Sequence, residues 1–265
     1  MVHICPVCGG KAGLLDVVDF NKSCEELRGK FLPLAGLPIY YALCDNCGFC
    51  FAPEVAQWEL EDFENKIYNS DYVQVDPDYL DTRPRGNARE LIDMLGKQAP
   101  NIRHLDYGGG SGLLSDVLRE SGWQSTSYDP FVDRQTRIED LPKFDLVTAF
   151  EVFEHVPDVK QLASNLGLLL APDGVVLFST LLSDGYLAPC QRLTWWYASP
   201  RNGHISLFSR KSLSILAAKH GFNLGSFTSG FHAFWRRVPA WAAHLLPARQ
   251  QAGAAGVNAP AQSAR

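Results

Sequence analysis

Apolar and polar residues alternate along most of this chain with two different periods. Helical spacing, in which one face carries the apolar side chains, occurs in four segments: 85–96, 113–122, 159–170 and 209–222. Short runs of β-branched, aliphatic and aromatic residues lie between them, at 102–107, 123–129, 144–152, 174–182 and 222–228, with a weaker run at 136–140. Strands that alternate with helices are typical of βαβ units. The pattern therefore predicts an α/β, Rossmann-like fold with a mostly parallel sheet.

The first fifty residues follow neither pattern. They contain six of the seven cysteines, and two pairs have C-x2-C spacing: Cys5 and Cys8 in "CPVC", and Cys44 and Cys47 in "CDNC". Tetrahedral zinc accepts four thiolates, and the glycine after each pair can adopt the positive φ of a tight turn. We predict a structural zinc site at these four cysteines, because four protein ligands leave no open position. Cys24 and Cys50 remain alternative ligands, and a disulfide framework is a further alternative.

Composition and charge narrow the class of partner. The 265 residues are 46% hydrophobic, which is enough for a substantial core, and the formal net charge is −5. Binding to a nucleic-acid backbone depends on clustered Lys and Arg, so nucleic acid is not expected as a partner. Uninterrupted apolar runs stay short of the roughly 18 residues of a membrane span. We expect a cytoplasmic protein, without a membrane span, that acts on a small molecule.

The stretch "HLDYGGGSGLL" (104–114) places a glycine-rich turn directly after a predicted strand. A dinucleotide fingerprint needs a small residue where this sequence has Leu113, and a phosphate-binding loop needs a Gly-Lys-Ser/Thr that is missing. The spacing is instead D-x-G-x-G-x-G, made by Asp106, Gly108, Gly110 and Gly112. Asp129 ends the next predicted strand, where its carboxylate can accept both hydroxyls of a ribose. Bare backbone beside a carboxylate suits S-adenosylmethionine, which has no pyrophosphate to hold.

Residues 85–228 resemble the class I S-adenosylmethionine-dependent methyltransferases. The segments that carry the resemblance follow the family's order: "HLDYGGGSG", "SYDP", "FDLVTAFEVFEHVPD", "LAPDGVVLFST" and "SLSILAAKHGF". The resemblance implies a seven-stranded, mostly parallel sheet with the cofactor across the carboxyl ends of its first strands. Only about fifteen residues separate Asp129 from Phe144, so the third βα unit must be shortened.

The same resemblance implies further site residues. Arg89 matches an arginine that meets the cofactor carboxylate, and Glu151 lies near the methionine part of the cofactor. Glu139 and Asp140 are candidates for the acidic residue that approaches the adenine amino group. Methyl transfer to a hydroxyl or carbon also requires removal of a proton. The candidate catalytic residues are two histidines in loops that line the acceptor side of such enzymes, His155 and His204.

The order of segments predicts four regions: a zinc-binding module at 1–52, a connecting segment and candidate lid at 53–84, a methyltransferase domain at 85–235 and a tail at 236–265. A cysteine-pair module followed by "IYNSDYVQVDPDY" is similar to bacterial proteins that methylate sugars, sugar nucleotides or other glycan precursors, which implies a carbohydrate acceptor. Two alternatives stay open. One is an RNA methyltransferase with an N-terminal zinc module, and the other is a non-catalytic scaffold with a degenerate methyltransferase fold.

Overall fold

The computed structural model describes residues 2–96 and 101–246, so the predicted tail at 236–265 lies outside the described residues from 247 onward. The first of two sheets is antiparallel, in the order β1-β2-β3-β4-β9. Its strands are β1 (Val2–Ile4), β2 (Lys11–Asp19), β3 (Pro38–Cys44), β4 (Cys50–Phe51) and β9 (Ser206–Leu207). Strand β9 comes from far along the chain and pairs with β4, opposing Leu207 to Cys50. The cysteine pairs and a segment beyond residue 200 therefore share one sheet.

The second sheet has the order β10-β11-β8-β7-β5-β6. Its strands are β5 (Arg103–Tyr107), β6 (Gln124–Tyr128), β7 (Phe144–Ala149), β8 (Leu170–Ser179), β10 (Asn223–Ser226) and β11 (Phe231–Trp235). Strands β6, β5, β7 and β8 are parallel, whereas β11 and β10 add as antiparallel strands. The central strands β7 and β8 are buried on both faces, which explains the apolar runs 146–147 and 175–178 within them. The predicted α/β, mostly parallel architecture is confirmed.

The strand count differs from the prediction. The resemblance predicts seven strands, and the described residues of this sheet form six. The segment 136–140, predicted as a weak strand, contains a 3-10 turn at Ile138–Asp140 instead. A parallel crossover needs a dozen or more residues, so the short connection from Asp129 to Phe144 has no room for an added strand and its helix. The sequence pattern also does not predict β11, which pairs with β8 and completes the sheet.

Six α-helices lie in the described residues: α1 (Leu60–Lys66), α2 (Tyr72–Val75), α3 (Thr82–Leu95), α4 (Leu113–Glu120), α5 (Val159–Leu169) and α6 (Arg210–Lys219). The last four confirm the four helices that the periodicity predicts. Ser209 caps α6, because its side chain accepts a hydrogen bond from the Ser212 N–H. Gly122 and Gly221, which follow α4 and α6, have φ of 85° and 73°, as is common just after a helix ends. None of these helices is long and apolar enough to cross a membrane.

Two hydrophobic clusters connect the sheets and the segment between them. In the first, Phe49 packs 5.0 Å from Phe208, and Phe153 stacks 4.1 Å from Phe178, so side chains from the cysteine-rich region and from the parallel sheet share one core. In the second, residues of the connecting segment pack against 193–207. Burial of apolar surface is the main force that holds such elements together. The connecting segment is thereby fixed beside the loop that follows β8.

Candidate functional site

The glycine turn lies at the carboxyl end of β5, the edge where open α/β sheets generally bind ligands. Gly108, Gly110 and Gly112 have φ of 75°, 54° and 83°, a region that residues with a Cβ rarely adopt. A Cβ on Gly108 would lie 2.6 Å from Val152 Cγ2, whereas a Cβ on Gly110 would meet nothing within 4 Å. The turn therefore presents the backbone of Gly110 to open space.

Asp129 follows β6 at the same edge of the sheet. Its Oδ2 accepts a hydrogen bond from the Gly110 N–H at 3.0 Å, and its Oδ1 accepts one from the Phe131 N–H at 2.8 Å. An ionised carboxylate has about four acceptor positions, so both oxygens keep capacity for a ligand. The structure brings together the glycine turn and the carboxylate that ends the next strand.

Asp106 lies beneath the turn. It is only 4% exposed, and its Oδ1 accepts a hydrogen bond from the Thr148 hydroxyl at 2.7 Å. That hydroxyl lies 3.0 Å from Nε2 of the fully buried His104. Burial raises the pKa of Asp106 to about 7 and lowers the pKa of His104 to about 3. A Cβ on Gly109 would come within 2.6 Å of Asp106 Oδ2, so this carboxyl group supports the turn from below.

Glu151 follows β7, the neighbour of β5, and so belongs to the same edge. Its φ of 54° is unusual for a residue with a side chain. The Glu151 N–H donates to Ser179 Oγ at 2.8 Å, and the Ser179 hydroxyl donates to Glu151 Oε1 at 2.8 Å. Backbone strain of this kind persists where the surrounding structure holds it in place, and it concentrates at functional sites. Ser179, the last residue of β8, keeps Glu151 in this conformation through these two hydrogen bonds.

A polar cluster lies next to this edge, where the 3-10 turn Phe153–His155 meets the loop that carries His204. Glu154, His155 and His204 each place a ligating atom within 4.8 Å of those of the other two. The two imidazole rings are 4.8 Å apart. Both predicted catalytic histidines therefore lie in one site, although 49 positions separate them in the sequence.

Both histidines of this cluster are neutral near pH 7. Burial lowers the pKa of His155 to about 3, and the charge of Arg83 lowers it further. Burial also lowers the pKa of His204 well below its usual range, with His155 adding to the effect. His204 Nδ1 lies 2.8 Å from the Tyr197 carbonyl oxygen, which can only accept, so Nδ1 carries the proton. The lone pair of His204 is therefore on Nε2.

Glu154 is not among the predicted site residues, although it directly precedes His155 in "FEVFEHV". Its side chain is fully buried, and the Tyr197 hydroxyl donates to its Oε1 at 2.5 Å. Burial raises the pKa of Glu154 well above its usual range, and the charge of Glu151 adds to this. The adjacent histidine and the position after a buried strand are the signals from which the sequence could have identified it.

Tyr68, in the connecting segment, is a second site residue that the sequence does not reveal. Its hydroxyl lies 3.1 Å from His155 Nδ1, and its ring is 5.1 Å from that of Phe131, just beyond Asp129. Burial raises the pKa of Tyr68, and the charges of Glu154 and Asp129 add to the shift. Tyr68 thus lies between the polar cluster and the glycine-turn edge. Only tertiary packing relates position 68 to position 155.

The remaining predicted cofactor residues lie apart from the cluster. Arg89 is exposed on α3. Glu139 and Asp140 lie on the exposed turn Ile138–Asp140, where their carboxylates are 3.7 and 3.9 Å from Arg137 Nε. Tyr128, at the end of β6, is influenced by this turn: burial raises its pKa, and the charges of Asp133, Asp129 and Glu139 add to the shift.

The four cysteines of the predicted zinc site converge. Cys5 Sγ is 3.6 Å from Cys47 Sγ, Cys8 Sγ is 3.4 Å from Cys44 Sγ, and all four sulfurs lie within 4.8 Å of one another. Tetrahedral zinc with bonds of about 2.3 Å holds sulfurs about 3.8 Å apart, so the set fits zinc. A disulfide would need about 2.05 Å. The glycines that follow the pairs, Gly9 and Gly48, have the predicted positive φ, 79° and 70°.

The alternative cysteine ligands lie elsewhere in the described structure. Cys50 is fully buried in the second hydrophobic cluster. Cys24 Sγ is 3.8 Å from His204 Nδ1, beside the polar cluster. The sulfur set that fits zinc is therefore the predicted one.

Comparison with known proteins gives one family match and partial relatives. A family model described as a methyltransferase domain matches residues 79–226, more than half of the chain. The ubiquinone biosynthesis O-methyltransferase of Actinobacillus pleuropneumoniae serotype 7 is 34% identical over 104 residues, covering 29% of this chain and 44% of that protein. The Haemophilus ducreyi protein of the same name is 30% identical over 130 residues, covering 39% and 50%. The chain spans about half the length of these curated relatives.

Among solved structures, the Burkholderia thailandensis 1,6-didemethyltoxoflavin-N1-methyltransferase with bound S-adenosylhomocysteine is 19% identical. The match covers 72% of this chain and 95% of that one, with a TM-score of 0.44. Streptomyces venezuelae DesVI is 14% identical, with 69% and 100% covered and a TM-score of 0.43.

Proposed function

This chain belongs to the methyltransferase-domain family, and from that membership we propose that it transfers a methyl group from S-adenosylmethionine to a small-molecule acceptor. The observation that carries the proposal is the juxtaposition at the carboxyl ends of β5 and β6. There the open turn at Gly110 donates its N–H to Asp129 Oδ2, and both carboxylate oxygens keep acceptor positions. A nucleoside with a vicinal diol and no phosphate matches this donor and acceptor set.

The residues present fit this cofactor. Asp129 would accept the ribose hydroxyls, the backbone of Gly108, Gly110 and Gly112 would lie against the methionine arm, and Glu151 would face its amino group. Glu139 or Asp140 on the adenine side, and Arg89 at the carboxylate, complete the assignment. The cofactor, when bound, supplies a methyl group made electrophilic by the sulfonium.

The protein itself must align the acceptor with the methyl group and remove the acceptor's proton. We assign the acceptor side to His155 and His204, which lie next to the glycine-turn edge. Their depressed pKa values keep both imidazoles neutral, so each has a lone pair that can accept a hydrogen bond from an acceptor hydroxyl. Tyr68 positions His155 through the contact at Nδ1.

For the acceptor we propose a sugar, sugar nucleotide or other glycan precursor. The combination of a cysteine-pair module with "IYNSDYVQVDPDY" supports this class. A row of aromatic rings lies beside the cluster, with Tyr68 5.3 Å from Tyr72 and Tyr72 5.0 Å from Tyr79. Such rings offer an apolar wall for a ring-shaped substrate. We also propose that zinc at Cys5, Cys8, Cys44 and Cys47 is structural.

Cofactor binding is tested by calorimetry with S-adenosylhomocysteine. Asp129→Ala should weaken binding at least about 100-fold, since it removes two charge-assisted hydrogen bonds worth about 1.5–3 kcal/mol each. The matched control is Asp116→Ala, which removes an exposed carboxylate paired with Arg119 on α4 and should bind like the wild type. Unchanged affinity in Asp129→Ala would refute the cofactor assignment.

The acceptor class is tested separately. The protein is incubated with methyl-labelled cofactor and pools of sugar nucleotides, glycolipid precursors or RNA. Label in a carbohydrate pool is the expected result. Label in RNA alone would replace the proposed substrate class, and cofactor binding without transfer to any pool would favour a scaffold.

A further inference from the structure

Three side chains with metal-ligating atoms converge beside the glycine-turn edge, far from the cysteine site in sequence. Glu154 and His155 belong to the 3-10 turn after β7, and His204 follows the 3-10 turn Pro200–Asn202. Their ligating atoms all lie within 4.8 Å of one another. Tetrahedral metal bonds of about 2.0–2.2 Å to nitrogen and oxygen hold ligating atoms about 3.3–3.6 Å apart, so closing this set on one ion must shorten its longest separation by up to about 1.5 Å.

One ligating atom of the set lacks a partner. Glu154 is fully buried, and its Oε1 accepts the Tyr197 hydroxyl, but its Oε2 has no hydrogen bond in the described structure. A buried polar atom without a partner costs roughly 1–3 kcal/mol. Buried carboxylates are normally paired with a cation or coordinate a metal. The Thr180 hydroxyl, which acts on the Glu154 carboxyl group and lowers its pKa, likewise has no hydrogen bond.

The two histidines are held in the orientation that metal ligands require. A ligating histidine usually donates its other ring N–H to a carbonyl or a comparable acceptor, which fixes the tautomer. His204 does this through Nδ1 and the Tyr197 carbonyl, and His155 Nδ1 has the Tyr68 hydroxyl at 3.1 Å. These contacts involve Nδ1 of each ring, so Nε2 is the nitrogen that each ring would offer to a metal; the Asn202 and Gly203 backbone also contacts the His155 ring.

We propose that Glu154, His155 and His204 bind one divalent transition-metal ion as a second metal site, separate from the four cysteines. Two imidazoles and one carboxylate suit ions such as Zn²⁺, Fe²⁺ or Co²⁺, and three protein ligands leave positions open for a substrate oxygen. His155 is half-buried, so the site is reachable from the acceptor side. This role rests on the proposed function: the ion would bind the acceptor hydroxyl in place of its direct hydrogen bonds to the two imidazoles, and would lower the pKa of that hydroxyl.

The test measures metal content and does not require methyl transfer, so its outcome is independent of the proposed function. The full chain is loaded with Zn²⁺, dialysed and analysed for bound metal. The wild type should retain two equivalents, and His204→Ala and Glu154→Gln should each retain one. The matched control His220→Ala, which changes a histidine at the end of α6, should retain two.

Loading with Co²⁺ assigns each equivalent to its ligands. The wild type should show thiolate-to-metal charge-transfer bands together with the weaker bands of a nitrogen and oxygen site, and the variants should lose only the latter. Persistence of the thiolate bands reports that a variant is folded. If His204→Ala loses both sets of bands because it does not fold, the near-isosteric Glu154→Gln is the variant that tests the proposal. A wild type with thiolate bands alone, or variants that keep both equivalents, would overturn the proposal.

Discussion

Beneath the glycine turn, individual side chains form a buried hydrogen-bonded chain across three parallel strands. The His104 ring contacts the Ser125 hydroxyl at 2.8 Å on β6 and the Thr148 hydroxyl at 3.0 Å on β7. Thr148 then donates to Asp106. Because these groups are removed from water, their hydrogen bonds are strengthened. The chain links the base of the candidate cofactor site to the interior of the sheet.

Replacement of His104 by Gln should change the pH dependence of folding. Burial lowers the pKa of His104 to about 3, so below about pH 6.5 the unfolded chain takes up a proton that the folded chain does not. The contribution of neutral His104 is therefore present above that pH and is lost on acidification. Relative to His104→Gln, the wild type should lose up to about 1.4 kcal/mol per pH unit between pH 6.5 and 4. Denaturant unfolding measures this, and a constant difference between the two proteins would contradict it.

Replacement of Gly108 by Ala should damage the turn through a clash as well as through φ. The new Cβ would meet Val152 Cγ2 at 2.6 Å, which adds about 1–3 kcal/mol of overpacking to the cost of a left-handed backbone, about 1–2 kcal/mol. Gly122→Ala is the matched control, because Gly122 has a φ of 85° and open space around its Cβ position. Thermal unfolding should show the larger loss in Gly108→Ala. Equal losses would mean that Val152 moves freely.

At the scale of elements, the start of α6 joins the cysteine site to the methyltransferase fold. Ser209 caps α6 by accepting from the Ser212 N–H, and its own hydroxyl donates to the Cys47 carbonyl oxygen at 2.5 Å. A Cβ on Gly48 would lie 3.2 Å from the Ser209 side chain, so helix and cysteine turn are in close contact. Ser209 thus both caps α6 and stabilises the turn that carries Cys47.

Replacement of Ser209 by Ala should cost about 2 kcal/mol of unfolding free energy, about 1 for the cap and about 1 for the bond to Cys47. It should also speed the transfer of zinc from the four cysteines to a chelator. Asp158→Ala, which removes the cap of α5 alone, is the control: it should cost about 1 kcal/mol and leave zinc release unchanged. Identical zinc release in the two variants would contradict the proposed support.

At the scale of the whole molecule, the two sheets behave as parts of one structure. Strand β9 completes the sheet that carries the cysteines, and Phe49 and Phe208 pack in the core that also contains Phe153 and Phe178. Apolar surface shared in this way couples the unfolding of one part to that of the other. The connecting segment is likewise packed against the loop of His204.

Removal of zinc from the cysteines should therefore destabilise the whole chain. With a strong chelator, calorimetry should show one unfolding transition shifted down by more than about 10 °C, given about 2–4 °C per kcal/mol for a domain of this size. Restored zinc should reverse the shift. An early transition for residues near the N-terminus, followed by one at the original temperature, would show that the two sheets unfold independently.

Local sequence determined the repeating elements and the two ligand motifs. Periodicity over ten or so residues specified α3 to α6 and five of the six strands of the second sheet. The spacing of Asp106, the glycines and Asp129 specified the glycine-turn edge, because parallel strands bring their carboxyl ends to one edge. The C-x2-C pairs specified their own convergence, since four thiolates on two tight turns form a preferred zinc geometry.

Tertiary structure alone decided the rest. No local pattern pairs β9 with β4, adds β11 beside β8, or brings Tyr68 and His204 to His155, because these contacts join residues that are distant in sequence and are selected by packing of the whole core. Burial, which sets the protonation of Asp106, Glu154 and the histidines, likewise depends on what covers a side chain rather than on its neighbours in sequence. The sequence therefore specified the edge at the glycine turn, and the fold built the polar cluster beside it.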